Sequence, residues 1–259
     1  MRKENVKVIV WGLGAMGKGV VEMLLSKKGV DIVGAVVRGD KIGKSMYELT
    51  GIERGGRPDL IAGSYEDVIK EGAADVVVIA TDSYTKTSFD KIKYCLERKI
   101  NVVSTAEEMA YPQAQSPELA KEMDRIAKEN GVTVLGTGIN PGLIMDLLVI
   151  TLTGACIDVE TIKAERVNNL SPFGPTVMHG QGVGITVEEF NKRVAENNLD
   201  GHIGFPESIR MIADALGWKL SDEIELERAP IISSVYRKAP YAEVQPGDVA
   251  GCNMKGYGY

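Results

Sequence analysis

The sequence predicts an α/β fold whose first half is a doubly wound parallel sheet and whose second half is a separate α+β domain. Three observations carry that prediction: short β-branched runs that alternate with helical stretches as far as Thr137, a glycine-rich turn directly after the first run, and a change of pattern after Asn140.

Val6 to Trp11 is a short apolar run, with Lys7 its one polar residue, of the kind a strand shows when both faces of its sheet are covered. Gly12-Leu-Gly14-Ala-Met-Gly17 follows at once, and a helix then begins, with Val20, Met23 and Leu24 as its expected buried stripe and Gly29 as its stop. Val30 to Val37 completes one βαβ unit. The alternation continues through a strand at Asp75 to Thr81, a helix at Thr85 to Lys99 built on Phe89, Ile92 and Leu96, and a strand at Ile100 to Thr105. A helix over Pro117 to Asn130 has Ser116 as cap, Pro117 at its first position and Gly131 past its end, before a strand at Val132 to Thr137.

Beyond Asn140, Pro141 and Gly142 open an apolar helical run to about Leu152, and Val159 to Leu170 alternates as a strand does. Thr186-Val-Glu-Glu189 is a capping box that leads a helix with Val187, Phe190 and Val194 on one face. Pro206 opens a further helix on Ile209, Ile212, Ala213 and Leu216, with Gly217 as its stop, and Ala229 to Tyr236 and Val249 to Met254 read as strands. Residues 1–140 are therefore expected to bind a cofactor and 141–259 to form a substrate-binding and dimerisation domain, for which a homodimer is the default assembly. Gly256-Tyr-Gly-Tyr259 reads as the middle of a strand, so the last sheet is expected to be incomplete at the C-terminus.

Composition narrows the function classes. Hydrophobic residues at 44% and charged residues at 25% are ordinary for a globular chain, which argues against disorder and membrane-embedded architectures. A formal charge of -6 leaves no excess positive field for a nucleic acid backbone or an anionic membrane, so neither is an expected partner. Cys95, Cys156 and Cys252 are widely spaced and only two histidines are present, so neither a metal site nor a disulfide framework is expected. The run after the N-terminus is too short for a signal peptide core, and Asp146 interrupts the longest apolar stretch well short of the roughly 20 residues that cross a bilayer. A cytoplasmic location is the expectation.

G-x-G-x-x-G spacing alone is a weak signal in a chain with 29 glycines, but its place between the first strand and the first helix makes it specific. There Gly12 permits a tight turn, Gly14 lets the backbone approach a pyrophosphate, and Gly17 allows close packing, as in Rossmann-type folds. Leu13, Ala15 and Met16 complete the turn, whose helix N-terminus supplies N–H groups and a positive dipole end for phosphates. Near the end of the second strand an acidic residue would favour NAD and an arginine NADP. Arg38 stands there and leans the reading to NADP with NAD tolerated; Asp40 lies within reach of a ribose, Asp31 lies at the wrong end of the strand, and the competing reading of Arg38 is a solvated surface arginine.

Ligands of doubly wound sheets lie beyond the carboxyl ends of the strands. Those positions hold Thr81-Asp82-Ser83, Thr105-Ala-Glu107-Glu108 and Gly138-Ile-Asn140-Pro-Gly142. Glu107 is the candidate acid or base, because a carboxylate past a buried strand end and shielded from water gains a pKa near its working pH. The alternative is a surface glutamate opening the next helix, with Glu108 as its surface partner or the roles reversed. In the expected strand Val159 to Leu170, Arg166 and Asn168 share a face with Ile162, Ala164 and Leu170. An arginine on a buried face must be paired or must hold an anion, so it reads either as a cleft wall for a substrate carboxylate or as a structural ion pair. His202, in Gly201-His-Ile-Gly204, can turn its ring toward a cleft or serve as a structural donor, and His179 invites the same two readings.

The string Arg166-Val-Asn168-Asn-Leu-Ser-Pro-Phe-Gly-Pro-Thr-Val-Met, the run Gln181-Gly-Val-Gly184 and the run Gly201-His202-Ile-Gly-Phe-Pro-Glu-Ser208 resemble the 2,4-diaminopentanoate dehydrogenase family, as do Ser104-Thr-Ala-Glu-Glu-Met-Ala-Tyr-Pro112 and Gly138-Ile-Asn-Pro-Gly142. The resemblance covers essentially the whole chain. It implies NAD(P)-dependent oxidative deamination of the 4-amino group of 2,4-diaminopentanoate, with relatedness to amine dehydrogenases that run reductive amination with ammonia. It also implies that Glu107 activates the reacting amine and that Asn140, Arg166, Asn168 and His202 line the substrate pocket, and that the N-terminal fold is like that of dihydrodipicolinate reductase. That enzyme's His-His and Ser-Gly-Thr signatures are absent, so its activity does not carry over. Family members continue past the last residue of this sequence. A different reductase or a non-catalytic NAD(P)H sensor would share the glycine turn.

Overall fold

The computed structural model describes residues 4–259, and the chain divides into two compact units, the first reaching Leu143 and the second running from Ile144 to Tyr259. In the first unit the elements run β1 (Val6–Trp11), α1 (Ala15–Leu25), β2 (Val30–Val36), α2 (Met46–Thr50), α3 (Tyr65–Val68), β3 (Val76–Ile79), α4 (Thr85–Leu96), β4 (Asn101–Ser104), α5 (Pro117–Asn130) and β5 (Val134–Gly136). All five strands are parallel, in the order β2-β1-β3-β4-β5. A single parallel bridge between Val36 and Gly63 lies on the outer side of β2. It stands where a doubly wound sheet of this hand carries one more strand, and it leaves the reversal of strand order at β1 and β3.

β1 has a strand on each side and helices on both faces, so its apolar run is almost wholly buried: Val10 is 0% exposed. On one face Ile9, Val77, Ile79 and Val102 pack with Ile92 and Leu96 of α4 and with Met123 and Ile126 of α5. On the other, Val8, Val10 and Ala35 pack with Val21 of α1 and Met46 and Tyr47 of α2. Each fully buried aliphatic side chain contributes roughly 1.5–3 kcal/mol, so both helical layers are held by the same strand residues read alternately. The expected stripe of α1 needs one correction. Met23 is 45% exposed, and Val21 and Gly17 are the residues that face the sheet, because the helix is set by the glycine contact beneath it. α5 has its expected bounds and Gly131 ends it at φ +67°, although the Ser116 side chain at its start makes no cap bond.

The second unit holds α6 (Leu147–Thr153), α7 (Pro175–Gly180), α8 (Val187–Ala195), α9 (Phe205–Leu216), β6 (Glu225–Ile232), β7 (Arg237–Ala239), β8 (Ala242–Val244) and β9 (Val249–Tyr257). β6 and β9 form an antiparallel pair, and β7 and β8 form a separate hairpin. Phe190, Leu199 and Val249 make its core, flanked by Ile185, Val187, Val194 and Cys252. α8 begins as the capping box requires, Thr186 Oγ1 accepting from Glu189 N–H at 3.2 Å. α9 lies so near β9 that a β-carbon on Gly256 would come within 2.6 Å of the Phe205 ring.

Three expectations for this half are overturned. Val159 to Leu170 is not a strand: it pairs with no other strand among the described residues, and Val167 is 88% exposed. Period-two alternation is a property of the residues, but an extended segment becomes a strand only where a neighbour takes up its N–H and C=O groups. The apolar run after Pro141 is not helical from its start. Gly142 has φ +121° and the helix begins at Leu147, where the buried Asp146 carboxylate accepts the Leu147 N–H at 2.7 Å and the Ser208 hydroxyl of α9 at 2.9 Å. The strand expected from Ala229 lies four residues nearer the N-terminus, at Glu225–Ile232, and the one expected from Val249 runs on to Tyr257.

Phe190 is fully buried among few large neighbours, so Phe190→Ala is expected to destabilise the second unit by about 3–5 kcal/mol. Urea unfolding followed by circular dichroism reads this; a loss below about 1 kcal/mol would show that this cluster does not hold the unit.

Candidate active site

The turn after β1 is shaped by contacts that exclude side chains. Gly12 has φ +100° and a β-carbon on it would meet the Ala80 carbonyl oxygen at 2.8 Å, while one on Gly17 would lie 1.8 Å from the Gly12 carbonyl oxygen. Nothing lies within 4 Å of the corresponding point on Gly14. Gly14 is the N-cap of α1, with no side-chain acceptor, and the first turn carries no acidic residue, so the N–H groups that a helix leaves without partners are available to a phosphate. The Gly12 N–H is already spent on Val36 O at 2.9 Å. Leu13 is buried, and Met16 is 66% exposed beside the open side of the turn. These residues fit a dinucleotide pyrophosphate.

Arg38 follows the end of β2 and is exposed, as is Asp40, 3.9 Å from Lys44. Asp31 lies at the other end of β2, bonded by Asn5. Past β3, Asp82 accepts from Thr81 Oγ1 and is paired with Lys91 of α4, whose ammonium also reaches Thr81 Oγ1 at 3.2 Å. Lys91 was not foreseen. Nothing in its sequence neighbourhood marks it off from the other lysines of α4.

β4 ends at Ser104, and a tight helical turn over Glu107–Ala110 presents the two glutamates differently. Glu107 is half-buried. Burial pushes its carboxyl above the ordinary value of 4.5; its own backbone N–H and the Ser83 hydroxyl act the other way, and the Glu108 charge adds to the rise. Glu108 is not the surface partner that the sequence suggested. It is buried, its carboxylate accepts the Thr85 N–H of α4 at 2.7 Å and the Gln115 amide at 3.3 Å, and its own N–H donates to Ser83 O at 3.1 Å. The unsatisfied N–H at the start of α4 is what draws this carboxylate inward. Asn140 lies in the turn beyond β5 and joins Pro141 through a cis peptide bond.

In the second unit Arg166 and Asn168 are exposed in the extended segment, not on a buried face, for want of the pairing strand. Arg166 is still near His202: the imidazole pKa is pulled down to about 4, first by burial and then by the Arg166 charge, so the ring is neutral at ordinary pH. Gly201 at φ +63° and Gly204 at φ +112° bracket His202, whose N–H donates to Met254 Sδ at 3.3 Å and whose ring meets Phe205 edge-on. His179 stands apart, exposed in the last turn of α7, its Nε2 3.2 Å from the Arg193 guanidinium. A β-carbon on Gly201 would be 3.6 Å from Arg228 Nε, which places Arg228 against the same turn. Arg228 escapes the sequence reading because that reading starts the strand at Ala229, four residues too late and just past it. The alternation Leu226, Arg228, Pro230, each half-buried in β6, is the signal that marks it.

Comparison with known proteins fits this geometry. A family profile described as dihydrodipicolinate reductase, N-terminus, matches residues 6–135, and one described as 2,4-diaminopentanoate dehydrogenase C-terminal domain matches residues 143–259. The 2,4-diaminopentanoate dehydrogenase of Acetoanaerobium sticklandii is 64% identical over 256 residues, 99% of this chain and 72% of that one. The chain belongs to the 2,4-diaminopentanoate dehydrogenase family. It is thus a dehydrogenase, an oxidoreductase whose first unit is built for a nicotinamide dinucleotide. An amine dehydrogenase from Mycobacterium smegmatis superposes with a TM-score of 0.76 at 30% identity, covering 99% of this chain and 75% of that one. The 4-hydroxy-tetrahydrodipicolinate reductase of Methanococcus maripaludis is 31% identical over 130 residues, 49% of this chain and 45% of that one. In this member of the diaminopentanoate dehydrogenase family no described helix is long and apolar enough to cross a membrane.

The two glutamates should separate in stability measurements. Because the Glu107 pKa is raised, the folded state binds the extra proton between the ordinary value of 4.5 and the raised one, so stability falls as pH rises through that window. Glu107→Gln should therefore be more stable than the parent above the window, the gain vanishing below pH 4.5. Glu108→Ala should lose about 1–3 kcal/mol at every pH by stranding the Thr85 N–H. Urea midpoints measured across pH check both.

Proposed function

We propose that the chain catalyses the NAD(P)-dependent oxidative deamination of 2,4-diaminopentanoate at C4, giving 2-amino-4-oxopentanoate and ammonia, and in reverse the reductive amination of 4-oxo acids. The observation that carries this is the half-buried Glu107, its pKa raised, in a turn at the carboxyl end of β4 in a chain 64% identical to a 2,4-diaminopentanoate dehydrogenase.

A bound nicotinamide would supply the hydride acceptor for the carbon that carries the amine. Glu107 accepts a proton from the 4-ammonium, which frees the nitrogen lone pair that expels the hydride. The same carboxyl then manages the water that adds to the imine and the ammonia that leaves. Its raised pKa suits the task, because a base whose pKa lies near the working pH combines the right protonation state with enough driving force. Ser83 orients the Glu107 carboxylate, and Glu108 fixes the turn that carries it. Arg166, with Asn168 and the neutral His202, holds the α-carboxylate, and Asn140 bonds the substrate's polar groups. Anchoring at the carboxylate orients C4 for reaction. His179 takes a lesser part in substrate binding.

The N–H groups of Gly14, Ala15 and Met16 would hold the pyrophosphate, and Thr81, Asp82 and Ser83, at the end of β3, would line the cofactor. Arg38 takes the 2'-phosphate of NADP in preference to NAD. The working assembly is a homodimer in the cytoplasm.

The test follows reduced-cofactor absorbance with 2,4-diaminopentanoate, and in reverse with ammonia and 4-oxopentanoate. Turnover in both directions is expected, and its absence in both overturns the proposal. Glu107→Gln should lower kcat/KM by at least about a hundredfold and remove the acid limb of its pH profile, which in the parent lies above the ordinary carboxylate value. Arg38→Ala should raise KM for NADP by on the order of tenfold while that for NAD changes little; equal changes would remove Arg38 from cofactor choice.

A further inference from the structure

β6 carries a cation, Arg228, for whose Nε the described residues supply no acceptor. Arg228 lies on the half-buried face of the strand, opposite Met254 of β9, while its neighbour Glu227 turns to the outer face and meets Tyr257 and Lys255. Its Nε is enclosed and forms no hydrogen bond among the described residues. Leaving a buried polar N–H without an acceptor costs about 1–3 kcal/mol, more for a charged group, so a guanidinium held in this way is completed by something the fold does not supply.

The surroundings say what that is. Cross-strand partners share a face, so Met254 and Arg228 stand side by side. Met254 Sδ accepts the His202 backbone N–H at 3.3 Å; a β-carbon on Gly201 would crowd Met254 Sδ at 2.8 Å and would touch Arg228 Nε at an ordinary 3.6 Å, so both side chains lie against this turn. The turn is fixed independently, Gly201 N–H donating to Gly180 O at 2.9 Å and its carbonyl accepting from Gln181 Nε2 at 2.7 Å. His202 in turn feels the charge of Arg166. Arg228 thus lies against the turn that carries His202, and Arg166 acts by its charge on that imidazole, which carries no charge of its own at ordinary pH. A patch with two positive groups, an enclosed N–H and a neutral hydrogen-bonding ring selects a small anion with planar, paired oxygens, and a carboxylate meets a guanidinium through two parallel bonds.

We propose that Arg228 is a second cation of the substrate-carboxylate site, a specificity residue that binds the α-carboxylate together with Arg166 beside His202. This rests on the proposed function for the identity of the substrate, but the carboxylate site itself is testable without turnover. Arg228 sits in a paired strand whereas Arg166 sits in an unpaired segment, so Arg228 supplies the rigid part of the anchor.

The experiment compares the parent enzyme with Arg228→Gln and Arg228→Lys on 2,4-diaminopentanoate and on 2-aminopentane, which has the reacting carbon and no carboxylate. Calorimetric binding of 4-oxopentanoate is measured in parallel. Arg228→Gln is expected to raise KM for 2,4-diaminopentanoate by about ten- to a hundredfold with kcat nearly unchanged, to weaken 4-oxopentanoate binding in proportion, and to leave 2-aminopentane turnover as in the parent. Arg228→Lys, which keeps the charge but loses the fork, should fall between the two and serves alone if the glutamine variant does not fold. Equal losses on both amines would mark Arg228 as structural, and unchanged 4-oxopentanoate binding would remove it from the site; either result overturns the inference. If the parent binds 4-oxopentanoate through Arg228 yet turns over no amine, the carboxylate site stands and the proposed reaction falls.

Discussion

No β-carbon fits on Gly17, and much of the first unit follows from that. With 1.8 Å between the place such an atom would take and the Gly12 carbonyl oxygen, α1 rests directly on the turn that ends β1. The helix can then neither slide along the strand nor cover its own N-terminus, and its free N–H groups stay beside the open space at Gly14. Gly12 is held from the other side by its bond to Val36 O and by the Ala80 backbone, so the turn is clamped between β2 and β3 at the point where the strand order reverses. A phosphate-binding geometry is thus a by-product of close packing, and needs no dedicated cationic side chain.

One candidate residue in each unit is tuned by the same cause, in opposite directions. Burial raises the Glu107 carboxyl and lowers the His202 imidazole, and in each case it favours the neutral form. A neutral histidine can offer hydrogen bonds and shape, and the charge of an arginine does not titrate in any useful range. Under the proposed function, grip on a carboxylate would be insulated from the pH at which the base works.

What could be read in advance divides along physical lines. The strands of the first unit were legible because a strand covered on both faces is apolar nearly throughout, as Val6–Trp11 is apart from the exposed Lys7 near its start, and because glycines at 12, 14 and 17 have a function only at such a strand's end. Glu107 was legible for the same reason, from its place just past β4. Glu108 was not, since nothing in its sequence shows that the Thr85 N–H, 23 positions away, lacks an acceptor. In the second unit alternation misled at Val159 to Leu170, where no neighbour completes the ladder. The condition applied there, an arginine on a half-buried strand face, is met instead at Arg228 of β6, whose Nε has no acceptor among the described residues. The hairpin of Arg237–Ala239 and Ala242–Val244 is too short and too polar to leave any periodic trace.

Each unit keeps its own hydrophobic cluster, and the change of unit falls at one point of the chain, between Leu143 and Ile144. Under the proposed function, the residues that hold the dinucleotide and those that hold the substrate carboxylate rest on different cores. A substitution that repacks the cluster around Phe190 leaves the packing under Gly17 untouched, and the reverse holds for a change beneath the glycine turn. Such an arrangement lets new amine specificities accumulate in natural lineages or in directed evolution without re-solving the problem of holding the cofactor.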